Sequence, residues 1–444
     1  MKVYDKITCD VCIVGGGTAG AVAAIKSAEL GLDTIVVEQG TVLGGSQVMG
    51  LVTPMMGHHI KGAHDEYFCE VHRRIARIIE VDYPEAVRNY LGEKSGGLNY
   101  DPVQFSCIYE DLAEKAGLKI AYESSLAYVN TEDGKITTIG VTTRKGLLEI
   151  NAKVFIDGTG DATLALLAGC EVEMGGGKQN QNTSLRFEMG GIDFKKFGKY
   201  IKSVGQDFYH TPPNLYLDQW PKKFKELLQK MVDEGDITKQ DSSYMQLFSM
   251  PGKPGSMSFN CPEIKYVPDG MNPFVMSKLY AEGRRAIVRL SNAFKKHVPG
   301  FENAYVSNVA SLLGVRESRR VKAVYTTTVQ DLASKKEFAD AFVYSNYPID
   351  IHGEELEHPS WEVNTEKLYY EVPTRSLIAA DVDNLAVVGR CAGFDFLAQS
   401  ALRIQQVAMA SGEAAAHAAK QAIDNNTNLK NIDTAKVKEK MITA

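Results

Sequence analysis

The sequence predicts an α/β protein built around a parallel sheet, and three observations predict it. Residues 10–40, DVCIVGGGTAGAVAAIKSAELGLDTIVVEQG, run as a strand, a glycine turn, a helix and a second strand. Near the other end, Leu385 to Val388 forms another short apolar strand, followed by Gly389-Arg390 and a long alanine-rich helix from about Ala398. Between them, helical and alternating patterns succeed one another, as in a mixed layer architecture.

The first unit carries the most information. Val11, Ile13 and Val14 suit a strand buried on both faces of a parallel sheet. Gly15, Gly17 and Gly20 then spell GxGxxG. The first glycine permits the tight turn, the second lets the backbone approach a pyrophosphate, and the third lets helix and strand pack closely. Thr18 to Leu30 continues as a helix whose N-terminus presents partial positive charge to an anion, and Gly31 ends it. Glu38 closes the second strand 18 residues after Gly20. A carboxylate there accepts from both hydroxyls of an adenosine ribose and repels a 2′-phosphate, so NADP is disfavoured on this turn. These residues alone leave NAD and FAD equally open.

Residues 60 to 117 read as largely helical, with an Asp-Pro start signal at DPVQF. Residues 119–156 alternate like strands, with EDGK at 132–135 as a hairpin turn. From Thr183 to Glu371 the pattern is mixed: RFEMGG and DAFVYSNYPIDIHG are strand-like, KKFKELLQKMVDEGD and MSKLYAEGRRAIVRLSNAFKKH helical. Pro-Gly clusters at 251–255 and 268–273 mark loops.

Composition narrows the function. The 444 residues carry 55 acidic and 49 basic side chains, a net charge of −6, which gives no footing for nucleic acid or an anionic membrane. No apolar run approaches the roughly 20 residues that span a bilayer, and Met1–Asp10 is too polar for a signal peptide, so a cytoplasmic protein acting on a small molecule is expected. Seven scattered cysteines fit reduced thiols rather than disulfides. Cys9 and Cys12 form a CxxC at a strand, where residues three apart point to opposite faces, and are expected as buried apolar residues. Nothing has the spacing of an iron–sulfur or zinc site; HGEELEH at 352–358 does not match the helical HExxH motif and reads as a solvated loop.

With both ends on the page, the chain resembles the FAD-dependent oxidoreductase family within the glutathione-reductase-like flavoproteins. LGGSQ at 43–47, FIDGTGDA at 155–162 and LLGVRESRRV at 312–321 resemble that family's internal motifs, so the likeness spans most of the chain. It implies a Rossmann-like FAD-binding domain with a parallel sheet and small antiparallel layer, plus an inserted mixed α+β substrate domain. The expected division is 1–182 and 372–444 for the FAD-binding domain and 183–371 for the insertion. The resemblance places Gly15, Gly17, Thr18, Ala19 and Gly20 on the pyrophosphate, Glu38 on the ribose and Gln39 beside the adenine. Gly44, Gly45 and Ser46 cross the pyrophosphate, Leu126 flanks the adenine, and Gly158, Thr159, Gly160 and Asp161 return the chain to the cofactor. Gly389 and Arg390 match the turn near the ribityl chain. Ala401, Leu402 and Arg403 are expected to open the helix whose positive end faces the N1–C2=O edge of the flavin.

Candidate catalytic groups are His58, His59, Arg316 and Arg403. A histidine after GLVTPMMG either exchanges a substrate proton or serves a loop structurally. Arg316, in VRESRR, either forks onto a substrate carboxylate or phosphate or pairs with Glu317. Tyr325, Trp361, Tyr369 and Tyr370 either line a pocket or belong to a core. The expected function is an FAD enzyme transferring hydride between flavin N5 and a small organic substrate, by alcohol or amine oxidation or by reduction of an activated C=C bond. Reducing equivalents are expected to come from the substrate, from NAD(P)H or from a protein electron partner. The alternatives are an NAD-dependent dehydrogenase and an accessory electron-transfer flavoprotein without its own substrate.

Overall fold

The computed structural model describes residues 2–55, 69–83, 98–176, 180–205, 214–216, 222–265, 271–353 and 364–443. Its first layer grows from β1 (Val3–Val14), whose last residues are buried on both sides, as the apolar run requires. β1 pairs in parallel with β2 (Thr34–Val37) and along its length with β6 (Gly146–Asp157). β3 (Lys119–Ala121) extends the sheet beyond β2, and Leu385–Val387 adds a parallel strand to the end of β6. The first half of β6 also pairs antiparallel with β5 (Lys135–Thr143), which pairs with β4 (Ser125–Glu132). One long strand therefore belongs to both the parallel sheet and the small antiparallel layer that the sequence predicts. Asp133 and Gly134 make the hairpin turn with φ of 49° and 74°, as two-residue hairpins favour.

Helix α1 (Thr18–Glu29) covers one face, packed against the long Gln405–Asp424 helix. The approach is close enough that a Cβ built on Gly412 would lie 2.1 Å from the Ala19 carbonyl oxygen. The helices Glu70–Asp82 and Pro102–Lys115 complete this layer, the latter capped by Asp101 with Pro102 in its first turn.

A second, five-stranded antiparallel sheet runs in the order Asn214–Tyr216, Gln246–Ser249, Met257–Phe259, Phe187–Gly190, Tyr305–Val309. Phe187, Phe259, Phe294 and Phe301 are buried between it and the Pro273–His297 helix, with ring contacts among them. This core draws on Leu51 and on Leu185 to Leu313. Leu332, Phe342, Val343, Tyr370 and Val372 pack instead with α1 and the C-terminal helix. The chain thus returns to the first core well before residue 371, the boundary drawn from the sequence, because the antiparallel strands Ala341–Ser345 and Tyr370–Pro373 pack on that core.

Cys9 and Cys12 correct the expectation of opposite faces. Both are buried in one apolar cluster, and their thiols are within hydrogen-bonding contact. The Asp10 and Val11 N–H groups both donate to the Asp33 carbonyl, at 2.8 and 3.1 Å, an irregularity that breaks the simple alternation of the strand. No helix among the described residues is long and apolar enough to cross a membrane.

Candidate functional site

A cavity of about 720 Å³ lies between the two layers, within the range of cofactor and ligand sites. The turn after β1 forms its floor. Gly15 has a φ of +94°, and a Cβ there would stand 2.6 Å from the Gly158 carbonyl oxygen; on Gly20 it would fall 1.8 Å from the Gly15 oxygen. Only glycine lets these three backbone segments stack. A parallel bridge joins Gly17 to Gly44, and the Gly44 N–H donates to Gly16 O at 2.8 Å, so the 44–46 turn lies over the first one. Thr18 Oγ1 reaches Gly44 O and Ser46 Oγ, both at 3.3 Å.

At one end, Glu38 is buried and accepts from the Gly16 and Gly40 N–H groups at 2.7 and 2.6 Å. Burial raises its pKa, and those two bonds only partly offset the rise. Gln39 and Leu126 line the same end. Gly158, Thr159, Gly160 and Asp161 form one wall, held by Asp157, which accepts from Thr159 Oγ1 at 2.7 Å and from the Ala165 N–H at 2.9 Å. Arg390 ties this wall to the Gly389 turn through Asp161 at 2.6 Å and Gly160 O at 2.8 Å. The Gly389 N–H donates to Ser411 Oγ at 2.9 Å.

The expected helix start is displaced. Phe396–Leu402 is a short helix of its own that ends at Arg403, and a second helix begins at Gln405 after Ile404. Ala401 and Leu402 are fully buried and do not line the cavity; the free N–H groups that face it begin at Gln405. Arg403 remains at the cavity as the junction residue, with Ile404, Gln405 and Ala408 beside it.

The far end gathers charge. Arg403 pairs with Asp350 at 3.0 Å, and Arg316 with Glu263 at 3.2 Å. His352 stands between the two acids, Nδ1 2.6 Å from Glu263 and Nε2 3.2 Å from Asp350. Burial works to raise the Asp350 pKa, but the His352 contact and the Arg403 charge overcome it and hold the carboxyl well below its usual range. Glu263 is likewise lowered, since its contacts with His352 and Arg316 outweigh its burial. Glu317 pairs with Arg320 at 3.0 Å, so it is not the partner of Arg316. Arg186, Tyr244 and Asn260 complete this end, and burial pulls the Arg186 guanidinium down to about 10.

The cavity therefore unites Gly15, Glu38, Gly45, Ser46, the 158–161 turn, Arg390, Arg316 and Arg403, whereas Gly20 and Gly44, expected on the pyrophosphate, do not line it and serve the packing of its floor. His58, His59 and Trp361 lie outside the described residues. Tyr325, Tyr369 and Tyr370 do not line the cavity: Tyr325 bonds Asp331 at 2.9 Å, Tyr369 stacks on Tyr344, and Tyr370 is buried in the first core. Sequence reasoning missed Arg186, Glu263, Asp350 and His352. Arg186 had one signal, a cation opening a strand of otherwise buried residues. His352, read from the sequence as the start of a solvated loop at 352–358, is instead largely buried in the site, because Glu263 reaches it from 89 positions away; residues 354–358 lie outside the described residues.

The residues fit a flavin dinucleotide by an observation independent of likeness. Neither α1 nor the Gln405–Asp424 helix has a side-chain cap, and both start on the cavity wall. Helices starting at Pro102, Phe194, Pro273 and Val329 are capped by Asp101, Asp193, Asn272 and Thr328. Two uncapped positive ends facing one cavity, with a buried carboxylate at its edge, are a donor set for a pyrophosphate, an anionic ring edge and a ribose.

The FAD dependent oxidoreductase family model matches residues 10–441. A 37-residue segment is 57% identical to mitochondrial dihydrolipoyl dehydrogenase of Schizosaccharomyces pombe, covering 8% of this chain and 7% of that protein's length. Similar solved structures include p-nitrophenol 4-monooxygenase from Pseudomonas putida DLL-E4, at 11% identity and TM-score 0.49 over 99% of this chain and 85% of that one. A geranylgeranyl bacteriochlorophyll reductase-like protein from Thermoplasma acidophilum aligns at 16% identity and TM-score 0.47 over 99% of this chain and 84% of that one.

Proposed function

Since this chain belongs to the FAD dependent oxidoreductase family and its cofactor is FAD, we propose that it catalyses hydride transfer between flavin N5 and a small organic substrate held at the charged end of the cavity. The substrate is oxidised at a C–OH or C–N centre, or reduced at an activated C=C bond. With FAD as the cofactor, NAD takes no place on the glycine turn and can enter only as a separate redox partner. The single observation that carries the proposal is the continuity of one cavity from Glu38, past both uncapped helix ends, to the His352 array.

In this reading Gly15, Gly17, Thr18, Ala19 and the 44–46 turn hold the pyrophosphate, Glu38 the ribose, and the Gln405 helix end the flavin's N1–C2=O edge. Bound FAD supplies a centre that accepts or gives a hydride. The chain must orient the substrate and manage one proton. His352 is suited to the proton: its tight Nδ1 contact with Glu263 fixes the ring, while the longer Nε2 contact with Asp350 leaves Nε2 as the nitrogen that exchanges a proton with substrate. His352 first, with Arg403 and Arg316 beside it, keeps the two acids ionised and in place. The short dihydrolipoyl dehydrogenase match supports placing the family member among the glutathione-reductase-like flavoproteins.

The test is anaerobic titration of the purified yellow protein with alcohols, amines and activated alkenes, the last after chemical reduction. A substrate that bleaches or restores the flavin band supports the proposal, and His352→Gln should slow that step by about 10²-fold or more. Bound FAD that responds only to a protein partner would make the chain an accessory electron carrier instead.

A further inference from the structure

Three guanidinium groups reach the charged end of the cavity, and two of them are neutralised. Arg403 has Asp350 and Arg316 has Glu263. Arg186 has neither. It is 4% exposed, lines the cavity, and donates only from Nη2, to Thr53 O at 2.5 Å and Ser258 Oγ at 3.4 Å. Its buried Nε has no hydrogen-bond partner. Glu188, two residues on, hydrogen-bonds Asn308 and feels the Arg186 charge, but burial outweighs that pull and raises its pKa, and the two form no ion pair among the described residues. A guanidinium carries five N–H donors, and an unneutralised one in a desolvated site is costly unless an anion arrives.

We propose that Arg186 is the binding group for a carboxylate of the substrate, so that the small molecule processed at this site is a carboxylic acid. This rests on the reading above that the cavity's charged end takes substrate. The chemistry favours a carboxylate over a phosphate. One guanidinium lacks one counter-charge, which a carboxylate supplies as a monoanion, whereas a phosphomonoester brings a charge nearer two. The planar fork of arginine also matches a carboxylate with two parallel N–H···O bonds. The ring of Phe248, with the Arg186 guanidinium carbon 5.8 Å from its centroid, gives the site an apolar side that keeps such an ion pair dry. Tyr244 and Asn260, joined at 3.2 Å on the same wall, offer polar groups for the rest of the acid.

The experiment titrates FAD-loaded protein with formate, acetate and benzoate, each against its neutral amide and against inorganic phosphate. Binding is read from the perturbed flavin absorbance band and from the rise in thermal midpoint, with no turnover required. The expected result is that at least one acid binds, its amide does not, and phosphate binds more weakly than the acid. Arg186→Met should weaken the acid by about 30-fold or more, as removal of a charged partner from a buried pair entails; Arg186→Lys should recover part of that loss. Equal binding of acid and amide, tighter binding of phosphate, no binding by any acid, or an unchanged acid affinity in Arg186→Met would overturn the proposal. If Arg186→Met fails to fold, the wild-type comparison of acid with amide decides alone. Failure of the hydride-transfer reading is a separate outcome, seen as a flavin that no small molecule reduces or reoxidises even though an acid binds.

Discussion

Gln47 and Gln405, 358 positions apart in the chain, meet in the interior, where Gln47 Nε2 donates to Gln405 Oε1 at 2.9 Å. Tyr109 donates to Gln47 Oε1 at 2.8 Å, and Gln405 Nε2 donates to Val52 O at 2.7 Å. Gln405→Leu leaves the Gln47 amide with only the Met409 sulfur at 3.6 Å and takes one of two donors from the Val52 carbonyl, which Tyr100 still holds at 2.5 Å, and should cost about 1–3 kcal/mol of stability. Because the pair joins the 44–47 turn to the C-terminal helix, the double variant with Gln47→Leu should cost less than the sum of the singles by more than about 0.5 kcal/mol. Chemical denaturation of the four proteins checks this; strict additivity would mean the contact does not couple the two segments.

Glu38 sets a second expectation. Its carboxylate already accepts from Gly16 and Gly40, and lone pairs remain for a ribose. Glu38→Ala leaves two backbone N–H groups unmatched and should raise the FAD dissociation constant by about tenfold or more, with a loss of about 1–3 kcal/mol in fold stability. Fluorescence quenching of FAD added to stripped protein measures the first and a thermal melt the second.

Two glycines separate packing from backbone strain. A Cβ on Gly412 meets the Ala19 oxygen at 2.1 Å, whereas one on Gly31, at φ +79°, meets nothing within 4 Å. Gly31→Ala should cost about 1 kcal/mol and keep FAD bound. Gly412→Ala must push the Gln405–Asp424 helix from α1, costing about 1–3 kcal/mol, and should also loosen FAD because both helices start on the cavity. Comparing melting points and retained flavin for the two variants checks this; equal flavin retention would dissociate the helix contact from the cofactor site.

Acid should destabilise the protein through two histidines. Burial, aided by Arg73, brings His72 down from 6.5 to about 3, and burial with the Lys26 charge brings His417 to about 4. Between those values and 6.5 the unfolded chain takes up protons that the folded one refuses, so stability rises with pH across that window and is lost as pH falls. For His72 alone the loss is about 2 kcal/mol at pH 5. The lowered Glu263 and Asp350 act in the same direction below about pH 4, where unfolded carboxylates protonate. The melting point should therefore fall steadily from pH 7 to pH 4.5, and His72→Leu should flatten part of that slope. A flat profile in the wild type would contradict it.

Much of the site was legible because its chemistry depends on local spacing. Glycines at positions 15, 17 and 20 and the carboxylate at 38 dictate the first unit, and Asp133-Gly134 dictates its hairpin. The helix break at Arg403 was hidden because ALRIQQV contains neither glycine nor proline; the contact with Asp350, reached through the tertiary fold, holds the junction residue instead. The CxxC misled because strand irregularity at Asp10 depends on the neighbouring Asp33 carbonyl, which local sequence does not announce. His352 became a site residue only when the short strand Glu263–Ile264, paired with Thr183–Ser184, brought Glu263 against it.

The break at Arg403 also divides two jobs between adjacent residues. The Gln405 side chain is bound to Gln47 and Val52 of the 44–52 segment, at the start of the helix proposed to face the flavin, whereas Arg403 answers to Asp350 across the gap. A redesign aimed at a different small molecule can therefore exchange residue 403 together with 350 and leave the nucleotide grip as it stands.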